Sequence, residues 1–178
     1  MSPTPELTPA TELAIRTVLM RYCRGIDRCD AELIRSAYHD DAWEDHGEGY
    51  RGNPDGYVAY VLERLPRYVG TQHTLHQSFI ELDQTGQEAR VETYVVAHHQ
   101  YVEGDMLMLE TLGVRYLDRF AARSPVGWRI AQRVVVLEWR TEQPATPLEV
   151  YGRNFATARR DRSDLSFAAE LPAIGQDS

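Results

Sequence analysis

Apolar residues recur every three to four positions at Ile15, Val18, Leu19, Tyr22 and Ile26, which predicts an amphipathic helix from about Ala10 to Asp27 or Arg28. Asp30 reads as the N-cap of a short second helix bearing Leu33, Ile34, Ala37 and Tyr38, stopped by His39-Asp40-Asp41. Residues 42–50 are short, partly aromatic and glycine-broken, and predict a small strand and turn. Asn53-Pro54-Asp55 combines an N-cap, a first-turn proline and an early acid. It opens a third helix with Tyr57, Val58, Val61, Leu62 and Leu65, closed by Pro66.

After Gly70 the texture changes to β. Runs at 72–82, 88–102, 106–122 and 128–140 are separated by turn signals at Asp83–Gly86, Gly104-Asp105 and Ser124–Gly127. Three helices followed by a meander predict an α+β fold with the helices packed on one face of a curved antiparallel sheet. Strands this long must bend, at bulges. The expected organisation is a disordered leader at 1–9, a domain at 10–141 and a C-terminal arm at 142–178. In the last strand Ile130, Val134 and Val136 interleave with Ala131, Val135, Leu137 and Trp139, so both faces read as apolar. The outer face then calls for cover by another copy of the chain.

Composition adds exclusions. At 178 residues, 43% hydrophobic and 26% charged, the chain is one ordinary globular domain. Nineteen basic against 27 acidic residues give a net charge of −8, which makes nucleic acid and anionic membrane surfaces poor partners. No apolar run approaches about 18 residues, and the N-terminus lacks the basic and apolar regions of a secretory signal. Cys23 and Cys29 read as free thiols in a reducing cytoplasm. Arg153, Arg159, Arg160 and Arg162 make the arm basic, and it is expected to dock on an acidic neighbouring surface.

Candidate chemistry centres on Asp27 and the histidines. Asp27 falls in the last turn of the first helix, at the edge of its apolar stripe. The negative end of the helix dipole and desolvation both act there to raise its pKa, so Asp27→Asn is expected not to cost stability. The competing reading is a surface ion pair with Arg24 or Arg28. His73 opens the first long strand where the helical layer ends, at the mouth of the predicted cavity. On extended strands His73 and His76 point apart, as do His98 and His99, so no metal site and no metal cofactor are expected. Nucleotide-binding glycine loops and a GxSxG elbow are absent from the sequence, so no organic cofactor is expected either.

The stretch RYCRGIDRCDAELIRSAYHDDAWEDHG at 21–47, the strand TQHTLHQSFIEL at 71–82, the later strands EARVETYVVAHH, RYLDRFAAR and GWRIAQRVVVLEW, and the tail RRDRSDLSF together resemble the SnoaL-like proteins of the NTF2-like superfamily. The resemblance implies a cone of three helices in a curved sheet with a deep apolar pocket. Scytalone dehydratase and hexachlorocyclohexane dehydrochlorinase are the members most similar in layout. Through them it implies a catalytic pair, Asp27 and His73, with Tyr22, Trp43 and Arg133 as substrate-binding residues. Gln77, where asparagine is usual, and Tyr22, where the dehydrochlorinase has another polar residue, depart from the pattern. The expected function is a cofactor-independent lyase or isomerase acting on a small, largely apolar molecule, in a homo-oligomer that is a trimer before a dimer. The alternatives are a non-catalytic module like the β subunit of ring-hydroxylating dioxygenases, or an epoxide-hydrolase-type enzyme.

Overall fold

The computed structural model describes residues 5–147 and 155–170. Helix α1 spans Pro9–Asp27, beginning one residue before the expected start because Thr8 caps it, its hydroxyl accepting from the Thr11 amide. Its buried stripe is the predicted one: Ile15, Val18, Leu19, Tyr22 and Ile26, with Cys23 beside them. Cys29 adopts a positive φ of 51° and reverses the chain, so that Asp30 can cap α2 over Ala31–Arg35. The close approach of α1 and α2 needs Gly25, where an added Cβ would lie 2.7 Å from Ile34 Cγ1 and 2.8 Å from its backbone nitrogen. Helix α3 runs Pro54–Arg64 under an Asn53 cap, as expected, and a 3₁₀ turn over Leu65–Arg67 leads into the sheet. The helical layer thus holds two long helices and the five-residue helix α2.

Six strands form one sheet: β1 (Tyr38–Asp45), β2 (Arg51–Gly52), β3 (Tyr68–Leu82), β4 (Glu88–Glu103), β5 (Met106–Arg123) and β6 (Gly127–Pro144), in the order β2-β1-β6-β5-β4-β3. The β3–β6 meander is antiparallel, but β1 pairs with β6 in parallel, so the sheet is mixed. Helix α2 ends at Arg35, before the expected stop at His39, for this reason. Ala37 and Tyr38 carry helical spacing, yet the Ile130 amide donates to the Ala37 carbonyl at 2.9 Å and draws Tyr38 and His39-Asp40-Asp41 into β1. The expected bulges fall between Leu75 and Ser78 and at Gly113/Val114, bending the long strands around α1.

On β4, Ala89, Val91, Thr93, Val95 and Ala97 face the core by strict alternation. The opposite face is not the uniformly apolar surface expected. Arg115 ties Glu92 and Glu138 into a charged ladder across three strands. Val134 and Val136 lie beside it, paired with Leu117 and Arg115.

Over residues 155–170 the arm docks on a nearby surface that includes the acidic Asp30 and Glu32. It folds back on its own chain: Arg28 meets Asp164 at 3.4 Å, Arg162 meets Asp30 at 3.3 Å, and Arg24 donates to the Ser166 carbonyl. Arg153 lies outside the described residues. Among the described residues no helix is long and apolar enough to cross a membrane.

Candidate active site

The last turn of α1 delivers Asp27 to the start of β3. Its Oδ1 accepts from the Thr71 hydroxyl at 2.9 Å and lies 2.8 Å from His73 Nδ1, and its Oδ2 accepts from the His73 amide at 3.0 Å. A carboxylate only accepts, so His73 Nδ1 carries the hydrogen, and in the neutral ring the lone pair is on Nε2. Both side chains are largely shielded, 10% exposed for His73 and 14% for Asp27. Burial pushes the Asp27 carboxyl up, but the hydrogen bonds and charge of His73, with Thr71, outweigh it and hold the group below its ordinary value of 3.8. The expected upward shift is therefore reversed. The expected ion-pair alternative is not formed either: Arg28 bonds the Asp27 carbonyl and its charge goes to Asp164.

His73 lines a cavity of about 220 Å³ between the helices and the sheet. Its wall is mostly apolar and aromatic, with Ile26, Val114, Val135, Tyr22, Tyr57 and Tyr116 among its residues and Arg64 and Arg67 also bordering it. An apolar cavity of about 150 Å³ takes a benzene ring, so this one suits a molecule of on the order of ten heavy atoms. A more open depression of about 530 Å³ adjoins it at Arg67 and Tyr68. A cleft of about 440 Å³ reaches Asp27 and His73 from the other side.

The three other expected residues fare differently. Tyr22 lines the cavity, and its hydroxyl shares a 2.5 Å hydrogen bond with that of Tyr57. Burial raises both phenols well above their usual range, so both stay protonated. Arg133 sits beneath the cavity wall, fully buried, its Nε and Nη2 donating to Asp118 at 2.7 and 2.8 Å. Its guanidinium lies 4.4 Å from the centre of the Tyr22 ring and 4.0 Å from that of Tyr116, and reaches the cavity only through them. Trp43 does not belong to the site. It is 50% exposed, because alternation along β1 turns Glu44 inward and Trp43 outward.

Two histidines not singled out from the sequence also line the cavity. His99 Nδ1 lies 2.8 Å from Glu110 Oε2, and its ring centre is 5.6 Å from that of His73. Burial, and then the nearness of His73, holds His99 below its ordinary pKa against the pull of Glu110. The signal was available: alternation puts His99 on the inward parity of Val95 and Ala97 and sends His98 outward to Thr111. His46 stacks on Tyr57 and approaches its hydroxyl at 3.2 Å. No sequence pattern marks that contact, which joins the turn after β1 to α3. Among the described residues no three His, Cys, Asp or Glu side chains converge as metal ligands.

Residues 9–134 match the SnoaL-like domain. The chain belongs to the SnoaL-like family. Solved structures with the same fold include a putative scytalone dehydratase from Novosphingobium aromaticivorans, at 21% identity, TM-score 0.65, covering 81% of this chain and 95% of that one. A hexachlorocyclohexane dehydrochlorinase from Novosphingobium barchaimii aligns at 21% identity, TM-score 0.64, covering 83% and 95%. A protein from Kribbella flavida aligns at 17% identity, TM-score 0.67, covering 75% and 95%. No curated protein sequence matches significantly. This SnoaL-like chain thus shares a fold with proteins named as a dehydratase and a dehydrochlorinase, and His73, held by Asp27, lines its cavity.

Proposed function

We propose that the chain is a cofactor-independent lyase or isomerase in which His73 takes a proton from a carbon acid held in the cavity. The observation that carries this is the Asp27–His73 contact of 2.8 Å at the wall of an apolar cavity. Asp27 fixes the tautomer and stabilises the imidazolium once His73 Nε2 has accepted a proton. The electron pair of the broken C–H bond forms the new double bond, and the pair of a neighbouring C–X bond leaves with X. The protonated Tyr22 hydroxyl offers a hydrogen bond to that departing group or to a developing oxyanion. Arg133 supports this through the Tyr22 ring and does not touch the substrate. Likeness to a dehydratase and a dehydrochlorinase supports elimination as the reaction class. We place the enzyme in the cytoplasm, in keeping with its two free thiols.

The test is a panel of small β-hydroxy carbonyl compounds and alicyclic halides in D₂O, followed by NMR for loss of the acidic C–H. The wild type exchanges or eliminates, and His73→Gln is slower by about 10²–10⁴-fold while keeping its fold. Equal rates in a folded His73→Gln variant reject His73 as the base. Ligands that raise the melting temperature but never exchange point instead to a binding module.

A further inference from the structure

Arg160 reaches across from the C-terminal arm to the start of the candidate site. Its Nη1 donates to the Leu65 carbonyl at 2.6 Å and to the Tyr68 carbonyl at 3.0 Å. Its Nη2 donates to the Thr71 hydroxyl at 3.3 Å and, at 3.5 Å, to the Ile26 carbonyl. These acceptors belong to α1, the 3₁₀ turn and β3, the three segments that must meet for Asp27 and His73 to touch. All four acceptors are neutral. A half-buried guanidinium whose hydrogen bonds all go to neutral oxygens recovers less of its desolvation cost than one in a direct ion pair, and burial lowers its pKa despite the nearby Asp27 charge. An arginine placed only to fasten the arm would serve as well at the surface, as Arg162 does with Asp30 and Glu32.

We propose that Arg160 is a positioning residue for the Asp27–His73 pair and acts through Thr71. A hydroxyl has one hydrogen to give. Because Thr71 Oγ1 accepts from Arg160, its own hydrogen is free to point at Asp27 Oδ1. Asp27 is thereby held from one side by Thr71 and from the other by the His73 ring and amide. The arm is braced to deliver Arg160. Asp164 accepts from the Arg159 and Ser166 amides, and Phe167 sits beneath Arg24 and Arg162. This inference builds on the proposed role of Asp27 and His73, but its geometry is testable without a substrate.

The test measures hydrogen exchange of the His73 Nδ1–H and backbone amide by NMR in the full-length protein. Arg160→Gln is expected to speed both by about five- to tenfold, the size of one lost hydrogen bond. Arg159→Gln, next to it on the arm with an exposed side chain and only its backbone amide in the brace, leaves both unchanged. In a Thr71→Val background, Arg160→Gln has little further effect, because the path through Thr71 is already cut. Arg160→Lys, which keeps charge but loses the fork, covers the case in which Arg160→Gln fails to fold, and is also expected to speed exchange. Unchanged exchange in folded Arg160→Gln or Arg160→Lys overturns the proposal, as does an equal effect of Arg160→Gln with and without Thr71. If the protein turns over a substrate, kcat falls in Arg160→Gln with KM nearly constant. A protein with no turnover but the predicted exchange pattern overturns the lyase reading and leaves the positioning role standing.

Discussion

Asp27 accepts three hydrogen bonds, from the Thr71 hydroxyl, the His73 amide and the His73 ring. An asparagine has one acceptor oxygen, and its NH₂ would face a donor. The unfavourable helix-dipole term, about 0.3–1 kcal/mol, is smaller than one hydrogen bond to a charged group, about 1.5–3 kcal/mol. Asp27→Asn is therefore expected to lower stability at pH 7, by about 1–3 kcal/mol, against the expectation from helix position alone. The pH dependence fixes the sign. The folded carboxyl lies below its ordinary value of 3.8, so its contribution is fully present above that pH and is lost as pH falls through the folded value. Melting curves of the two proteins should differ most at neutral pH and converge in acid. A variant as stable as the wild type at pH 7 would contradict the hydrogen-bond account.

At the level of elements, the α1–α2 crossing depends on Gly25. Alanine there gains up to about 1 kcal/mol of helix propensity. However, its Cβ would stand 2.8 Å from the Ile34 backbone nitrogen, which a rotamer change cannot relieve. Gly25→Ala is expected to destabilise by about 1–3 kcal/mol through overpacking; a rise in the denaturant midpoint would show that α2 yields without cost. Between β5 and β6 the Arg133–Asp118 pair is fully buried. Asp118→Ala strands the guanidinium and is expected to cost about 3–5 kcal/mol. Replacing both partners with apolar residues of similar volume should recover most of that, and chemical denaturation of the single and double variants decides it. The element boundaries were legible where local chemistry sets them: the Asn53 cap, the Gly104 turn with its φ of 59°, and the long alternating strands. The second helix was misjudged at Ala37 and Tyr38 because the pull of β6 on β1 is a contact between residues about 90 positions apart in the chain.

For the whole molecule, the outer sheet face carries exposed Phe79, Tyr94 and Leu117 beside the Glu92–Arg115–Glu138 ladder. Such a mixed face suits a contact between copies, with the apolar side chains at its centre and charges that can re-pair across the interface. A homotrimer is expected, seen in light scattering as a species three times the 20.4 kDa chain. A dimer would keep the face and change the symmetry, and a monomer at micromolar concentration would reject self-association. The 155–170 segment docks on its own chain through Arg28–Asp164 and Arg162–Asp30.

Local and periodic information determined the helix stripe from Ile15 to Ile26, the four long strands, the α+β class, and the candidacy of Asp27 and His73, because spacing, caps and turn residues act over a few positions. Everything that depends on distant residues meeting was decided by tertiary structure. It brought Thr71 and His73 onto Asp27 and so reversed the direction of its pKa shift. It sealed Arg133 against Asp118, because a buried charge must find a partner before it can serve a ligand. It turned Trp43 outward through the parity of a strand whose pairing the sequence did not disclose, and carried Arg160 to the far side of the chain. Side-chain chemistry can be read one residue at a time, but hydrogen-bond partners, burial and the sign of an electrostatic shift exist only once separated segments are packed together.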